Sequence, residues 1–178
     1  MEKDSALEER MKRIRLLVLD VDGVLTDGGI YMGPDGEAMK RFDIKDGLGI
    51  ALWHRAGGMT AILTGRSSKI VENRAKELHI SVVRQGCTDK RTAYGELKAE
   101  LKISDEEIAY IGDDIIDLPV MKQVGLPVAV ADAVPEVQNV ACFVAAHNGG
   151  HGAIRETVER ILRAQGRFEE AAALYLSC

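Results

Sequence analysis

The sequence predicts an α/β fold, a three-layer, Rossmann-like parallel sheet with helices on both faces. From Ile14 onward short aliphatic runs alternate with amphipathic stretches, the pattern of strands buried on both faces and of the helices that cover them. Some of these runs stop abruptly at acidic residues, and the carboxyl ends of parallel strands are where such sheets open a ligand crevice. At 178 residues the chain can fill one core but not two ordinary ones. A single domain over 1–178 is therefore expected, with a core over about 14–165, a flap over about 28–42 and a tail over 166–178.

Strands are expected over 15–19, 60–63, 82–83, 108–111 and 128–130, with 143–144 at an edge. Between them Val71, Ala75 and Leu78, then Ala93, Leu97 and Leu101, then Ile154, Val158, Ile161 and Leu162 recur at helical spacing. These stripes read as plain core that packs on the sheet. Residues 28–42 break the alternation: Ile30-Tyr31-Met32 and Ala38-Met39-Lys40-Arg41-Phe42 flank Gly33-Pro34-Asp35-Gly36, which reads as a small β-hairpin flap. After Gly166 the composition is helical but weakly anchored.

Composition narrows the function classes. No segment reaches the roughly 20 apolar residues of a membrane span, and residues 1–12 lack the apolar stretch of a secretory signal, so the cytoplasm is expected and a membrane partner is not. Cys87, Cys142 and Cys178 are odd in number and widely spaced, the pattern of reduced thiols rather than of a disulfide framework or zinc site. A formal charge of −5 offers no basic footprint for nucleic acid.

Chemistry concentrates at the strand ends. The run Leu16-Leu17-Val18-Leu19 leads into Asp20-Val21-Asp22-Gly23, placing two carboxylates at one crevice, where a hard, oxygen-seeking cation such as Mg²⁺ relieves their repulsion. A second acidic cluster, Gly112-Asp113-Asp114-Ile115-Ile116-Asp117, follows the run at 108–111 and opens a helix at Ile115. Either cluster alone reads equally well as a turn or a helix cap; the two together are much harder to explain that way. Thr64 ends another strand ahead of Gly65-Arg66-Ser67, where a hydroxyl and a helix start can grip phosphate. Lys90 follows a short strand and can neutralise a phosphoryl oxygen and Asp20. Arg66, Lys69 and Arg74 gather around one helix start, and an arginine fork suits a carboxylate; a solvated basic face reads equally well.

The order DxDG, strand-terminal Thr, Lys and GDDxxD resembles the haloacid dehalogenase superfamily of phosphohydrolases over about 14–117. The likeness extends to about 165 with the small enzymes that lack a large cap domain, the 3-deoxy-D-manno-octulosonate 8-phosphate phosphatase family. It rests on the segment from Asp20 to Gly28, on Asp46-Gly47-Leu48-Gly49-Ile50, Thr64-Gly65-Arg66, Gly112 to Asp117, and Gly149-Gly150-His151-Gly152-Ala153-Ile154-Arg155-Glu156.

The resemblance implies a phosphoric monoester hydrolase working through an aspartyl-phosphate. Asp20 would be the nucleophile, Asp22 the acid and base, and Thr64 and Lys90 the phosphoryl-orienting groups. Mg²⁺ would be held by Asp20, the Asp22 carbonyl and Asp113, supported by Asp114 and Asp117. A sugar acid would be contacted by Asp22, Asp43, Ile44, Lys45, Asp46, Gly47, Arg66, Arg74 and Lys90. The family often has Arg or Lys where this chain has Ala51, which leaves a nonulosonate 9-phosphate open beside 3-deoxy-D-manno-octulosonate 8-phosphate. His151 reads either as a substrate contact or as part of a flexible turn. The resembled enzymes close their open crevice with flaps and tails of adjacent subunits, so a homotetramer is implied.

Two other classes stand against this. A receiver-type phosphoacceptor switch also combines aspartates, Mg²⁺, threonine and lysine, but its phosphorylated aspartate ends the third strand, where residues 82–83 are followed by none. A phosphosugar mutase of the same superfamily would carry a sizeable cap between Asp20 and Thr64, and none is encoded there.

Overall fold

The computed structural model describes residues 2–176, so Cys178 lies outside the described residues. The charged N-terminal residues form α1 (Glu2–Arg13), which leads into β1 (Leu16–Leu19). A hairpin of β2 (Tyr31–Gly33) and β3 (Gly36–Met39) precedes α2 (Ile44–Arg55) and β4 (Met59–Leu63). Next come α3 (Lys69–Glu77), β5 (Val82–Arg84), α4 (Lys90–Leu101), β6 (Ile108–Gly112), α5 (Leu118–Met121) and β7 (Leu126–Ala129). The chain ends with α6 (Pro135–Val140), β8 (Phe143–Val144), α7 (Ala153–Ala164) and α8 (Phe168–Leu176).

Six strands form one parallel sheet in the order β5-β4-β1-β6-β7-β8, as the alternation of aliphatic and amphipathic segments predicts. All four residues of β1 and all five of β6 are buried, which explains why they read as continuous apolar runs rather than as alternations. α1, α2, α7 and α8 pack on one another in one layer, and α4, α5 and α6 in another. The stripe Ile154, Val158, Ile161 and Leu162 is buried in full, and Leu97 is joined in the core by Tyr94 rather than by Ala93. β7 begins two residues earlier than expected. Pro127 does not break it, because its carbonyl still accepts from Cys142 N at 2.9 Å.

This topology fixes the site. From β1 the chain steps outward to β4 and β5, then crosses back to β6, β7 and β8 on the other side, so the direction of winding switches at β1, where ligands bind in open α/β sheets. Leu19 is in register with Ile62 of β4 and Ile111 of β6. The residues that follow these three strands therefore emerge side by side.

The hairpin pairs only with itself, and an isolated bridge between Thr26 and Phe42 ties its base to the loop after β1. A free two-stranded hairpin is marginal in water, and its Tyr31, Met32 and Met39 are exposed. The tail is better anchored than its composition suggests: α8 buries Ala171 and Ala172 and exposes Leu174, Tyr175 and Leu176. No helix among the described residues is long and apolar enough to cross a membrane.

Candidate active site

β1 delivers Asp20 at its carboxyl end, where Val21 N donates to Asp20 Oδ1 at 2.7 Å and Lys90 Nζ lies 2.8 Å from Oδ2. Lys90 is the first residue of α4, with its side chain 2 % exposed. A lysine so deeply buried must be paired. It donates to Asp117 Oδ1 at 2.7 Å and to the Tyr110 hydroxyl at 3.2 Å, and Tyr110 in turn donates to Asp117 Oδ1 at 2.6 Å.

Beyond β6 the chain makes a single 3₁₀ turn, Ile115–Asp117, before α5. The helix expected from Ile115 is therefore delayed, because Asp117 folds back to cap the turn: its Oδ2 accepts from Asp113 N at 3.0 Å and Asp114 N at 3.3 Å. Asp114 is exposed and accepts from Ile115 N at 2.7 Å. Asp113 differs from both, since its Oδ1 is buried and accepts no hydrogen bond. Gly23, at φ +90°, makes room for it; a Cβ there would stand 2.1 Å from Asp113 Oδ2.

Asp20, Asp113 and Asp117 bring carboxylate oxygens within 4.8 Å of one another and face one ammonium. Burial, then the charge of Asp117, pushes the Asp20 carboxyl up to about 6 in spite of Lys90; burial, then Asp117 and Asp20, pushes Asp113 up to about 8. Burial opposes the charge on Lys90, but Asp20 and Asp117 outweigh it and raise the ammonium's pKa. Excess buried negative charge with an orphaned carboxylate oxygen is what a hard divalent cation satisfies. The donor set fits Mg²⁺, which Asp20 and Asp113 could hold. Asp117, both of whose oxygens are committed, stands behind them.

Thr64 sits next to this floor, buried, its backbone locked by Thr64 N to Arg84 O and Cys87 N to Thr64 O, both 3.0 Å. The helix start expected directly behind it comes only at Lys69, and the cap N–H of Ser68 is taken by the Gln85 side chain at 2.8 Å. Asp20, Asp22, Thr64, Arg66, Asp113 and Ile116 line a cleft of about 160 Å³. A larger one of about 370 Å³ between α1 and α7 lacks the convergent acidic groups that mark a reactive site.

Asp22 faces the hairpin. Its Oδ1 accepts from Lys40, its Oδ2 lies 3.6 Å from Arg66 Nε, and Lys40 also pairs with Glu37 at 2.8 Å. Arg66 Nη2 reaches Glu37 at 3.6 Å, and the Ser68 hydroxyl donates to Glu37 Oε2. Burial works against both Lys40 and Glu37, yet each one's partners more than compensate, raising the lysine's pKa and lowering the carboxyl's. Glu37, Lys40 and Tyr110 were not singled out from sequence. The available signals were a lysine amid apolar flap residues and a phenol inside a buried strand.

The remaining expected substrate residues separate. Asp43, capping α2, and the exposed Ile44 and Lys45 stand at an accessible helix start. Asp46 does not join them: it is buried and accepts from Gly152 N at 3.1 Å and Arg155 N at 2.9 Å, capping α7 from α2. Both of its oxygens serve the fold, which sets it apart from its neighbours on the rim. Arg74 pairs with Glu77 at 2.9 Å and stacks 5.6 Å over Phe42. Its guanidinium lies 2.6 Å from where a Cβ of Gly47 would be, so these two residues form a packed wall. Lys69 pairs with Glu72 at 2.5 Å. His151 is exposed, its Nδ1 2.7 Å from Gly149 O and its Nε2 3.4 Å from Arg41 Nη1.

Residues 68–156 match the family model of haloacid dehalogenase-like hydrolases. The chain is 50 % identical over 166 residues to the Yersinia pestis 3-deoxy-D-manno-octulosonate 8-phosphate phosphatase KdsC, covering 93 % of this chain and 89 % of that protein. The crystal structure of the Y. pestis phosphatase superposes with a TM-score of 0.90 at 49 % identity, over 92 % of this chain and 89 % of that one. The Moraxella catarrhalis phosphatase, solved with magnesium ion, phosphate ion and KDO, superposes with a TM-score of 0.92 at 40 % identity, over 95 % and 97 % of the two chains.

Proposed function

The chain belongs to the haloacid dehalogenase-like hydrolases, and from that premise we propose that it hydrolyses 3-deoxy-D-manno-octulosonate 8-phosphate to the sugar acid and phosphate, with Mg²⁺ as cofactor. The observation that carries this reading is the meeting of Asp20, Thr64 and Asp113 at three adjacent strand ends, with Lys90 behind them, in a chain half identical to enzymes named for that reaction. The receiver-type switch gives way to the hydrolase family.

Asp20 Oδ2, paired with Lys90, attacks phosphorus in line; the Asp20 O–P bond forms as the ester P–O bond breaks. Asp22 gives its proton to the departing sugar oxygen. It then takes one from the water that cleaves the aspartyl-phosphate, returning both carboxyl groups to their starting state. Thr64 and Lys90 hold the phosphoryl oxygens. Asp117 and Tyr110 hold Lys90, and Asp114 shapes the turn that presents Asp113. Mg²⁺, held by Asp20, Asp113 and the Asp22 carbonyl, supplies charge withdrawal from the phosphoryl oxygens when bound.

For the sugar acid, Arg66, half-exposed on the cleft and 3.6 Å from both Asp22 and Glu37, is the candidate for its carboxylate. Asp43, Ile44 and Lys45 form the outer rim, while Arg74 and Gly47 give the wall its shape. We further propose a cytoplasmic homotetramer acting in lipopolysaccharide precursor synthesis. Exposed Tyr31, Met32 and Met39 on the hairpin and Leu174, Tyr175 and Leu176 on α8 support burial between subunits.

The test is multiple-turnover phosphate release from a panel of sugar-acid phosphates with Mg²⁺ and with chelator. The 8-phosphate of 3-deoxy-D-manno-octulosonate should lead on kcat/KM. A nonulosonate 9-phosphate ahead of it would move the assignment to the longer sugar, in keeping with Ala51. No turnover on any ester would end the phosphatase reading.

A further inference from the structure

The hairpin carries a lysine that water hardly reaches. Lys40 follows β3, beside the exposed Met39, yet its side chain is 1 % exposed. A lysine on so small an element would ordinarily extend its flexible stem into solvent, and burying its ammonium is costly unless it is paired and hydrogen-bonded. Here the ammonium turns inward to Asp22 Oδ1 and Glu37 Oε1. Glu37 is itself held by the Ser68 hydroxyl, at the start of α3. The Thr26–Phe42 bridge pins the hairpin two residues beyond Lys40 and four residues beyond Asp22. The lysine thus stands between a fixed anchor and a cleft carboxylate that faces the hairpin.

The two oxygens of Asp22 are not equivalent. Lys40 hydrogen-bonds Oδ1, whereas Oδ2 lies 3.6 Å from Nε of the half-exposed Arg66, beyond hydrogen-bond reach. Resting on the assignment of Asp22 as acid and base, we propose that Lys40 is a positioning residue for the hydrolysis: anchored by Glu37, it holds Asp22 Oδ1 and leaves Oδ2 as the oxygen that exchanges a proton with the leaving group. The proton moves from Asp22 Oδ2 to the ester oxygen as the P–O bond breaks, and returns to Oδ2 from the hydrolytic water. Lys40 keeps its own protons throughout. The hairpin is then part of the reaction machinery of its own subunit, because lifting it withdraws the group that aims the acid.

Leaving-group dependence tests this. p-Nitrophenolate departs without a proton, whereas a sugar alkoxide needs one, and kcat/KM reports on the steps through formation of the aspartyl-phosphate. Lys40→Met should lower kcat/KM for the sugar-acid phosphate about 30-fold and that for p-nitrophenyl phosphate only about threefold, the scale of a misplaced general acid. Glu37→Gln, which loosens the anchor and keeps the hairpin's shape, should show the same asymmetry at a smaller ratio and carries the test should Lys40→Met not fold. Asp22→Asn is the reference. If it is asymmetric while both flap variants lose equally on the two esters, or lose nothing, Lys40 is only structural and the proposal is overturned with the reading of Asp22 intact. If Asp22→Asn is itself symmetric, the acid assignment fails and takes the proposal with it.

Discussion

The floor of the cleft and the hairpin clasp above it are both charge clusters, and they are built on opposite plans. The floor sets three carboxylates, Asp20, Asp113 and Asp117, against one ammonium; the clasp sets Asp22 and Glu37 against Lys40 and Arg66. In the floor two acids are pushed up to about 6 and about 8. In the clasp Glu37 is held down and Lys40 raised. An unbalanced buried cluster is a site awaiting a counter-charge, whereas a balanced one already holds its counter-charges and can position what it touches. The difference assigns the nucleophile and the metal to the floor and the aiming of the acid, Asp22, to the clasp.

The largest effect should come from the floor. Asp20→Asn should lower kcat by roughly 10⁴-fold or more and abolish a phosphorylated protein detectable by mass spectrometry of acid-quenched reactions. Near-normal turnover in that variant would remove the distinction between the two regions at its root.

Next in size is the response to pH and metal. Asp20 and Asp113 bind protons more tightly folded than unfolded, so between the unfolded value of 3.8 and about 8 the native state holds the extra protons and stability falls as pH rises. Without metal, the melting temperature should be higher at pH 5.5 than at pH 8.5, by about 5 °C or more. Mg²⁺ should recover the loss at the higher pH, because it binds the charged form. Asp113→Asn should flatten the metal-free profile and weaken Mg²⁺ binding, both readable by calorimetry. A profile of the wild-type protein that rises through this range would contradict the charge excess on which the comparison stands.

How far these features were legible in sequence follows the same division. Asp20, Thr64 and Asp113 each follow a short apolar run, and strand ends in a parallel sheet converge by topology, so local reading was enough to place them. Lys90, first in α4, is nearly as local. The clasp has no such signature: Lys40 and Asp22 meet across 18 residues, and only the folded hairpin brings them together. Tyr110 was hidden for another reason, since a phenol in a buried strand reads as bulk until its hydroxyl's partners are seen. The capping role of Asp46 was not legible, because its partners at the start of α7 lie over 100 residues away, and no spacing near Asp46 announces a cap made from another helix.

Asp46 also sharpens the comparison, because it belongs to neither cluster. Burial pushes its carboxyl up, opposed by the N–H groups of Arg155 and Gly152. Asp46→Ala should therefore cost about 1–3 kcal/mol of stability in urea unfolding, the range for a lost cap that leaves buried donors unpaired, with KM for the sugar-acid phosphate nearly unchanged in the folded fraction. A raised KM at unaltered stability would return Asp46 to the substrate.

The smallest effect separates support from chemistry within the floor itself. The Tyr110 hydroxyl touches Lys90 and Asp117 but not the cleft, so Tyr110→Phe removes one donor from Asp117 Oδ1 and leaves it paired with Lys90. The expected cost is about 1 kcal/mol of stability. Loosening of Lys90 should lower kcat about threefold to tenfold, with KM little changed and the loss similar for alkyl and p-nitrophenyl esters. That symmetry is the opposite of the one expected for Lys40, since a support for the phosphoryl-orienting lysine acts on every ester alike, whereas a support for the acid matters only when the leaving group needs a proton. Should Tyr110→Phe instead select against alkyl esters, the floor and the clasp would share one task, and charge balance would no longer tell them apart.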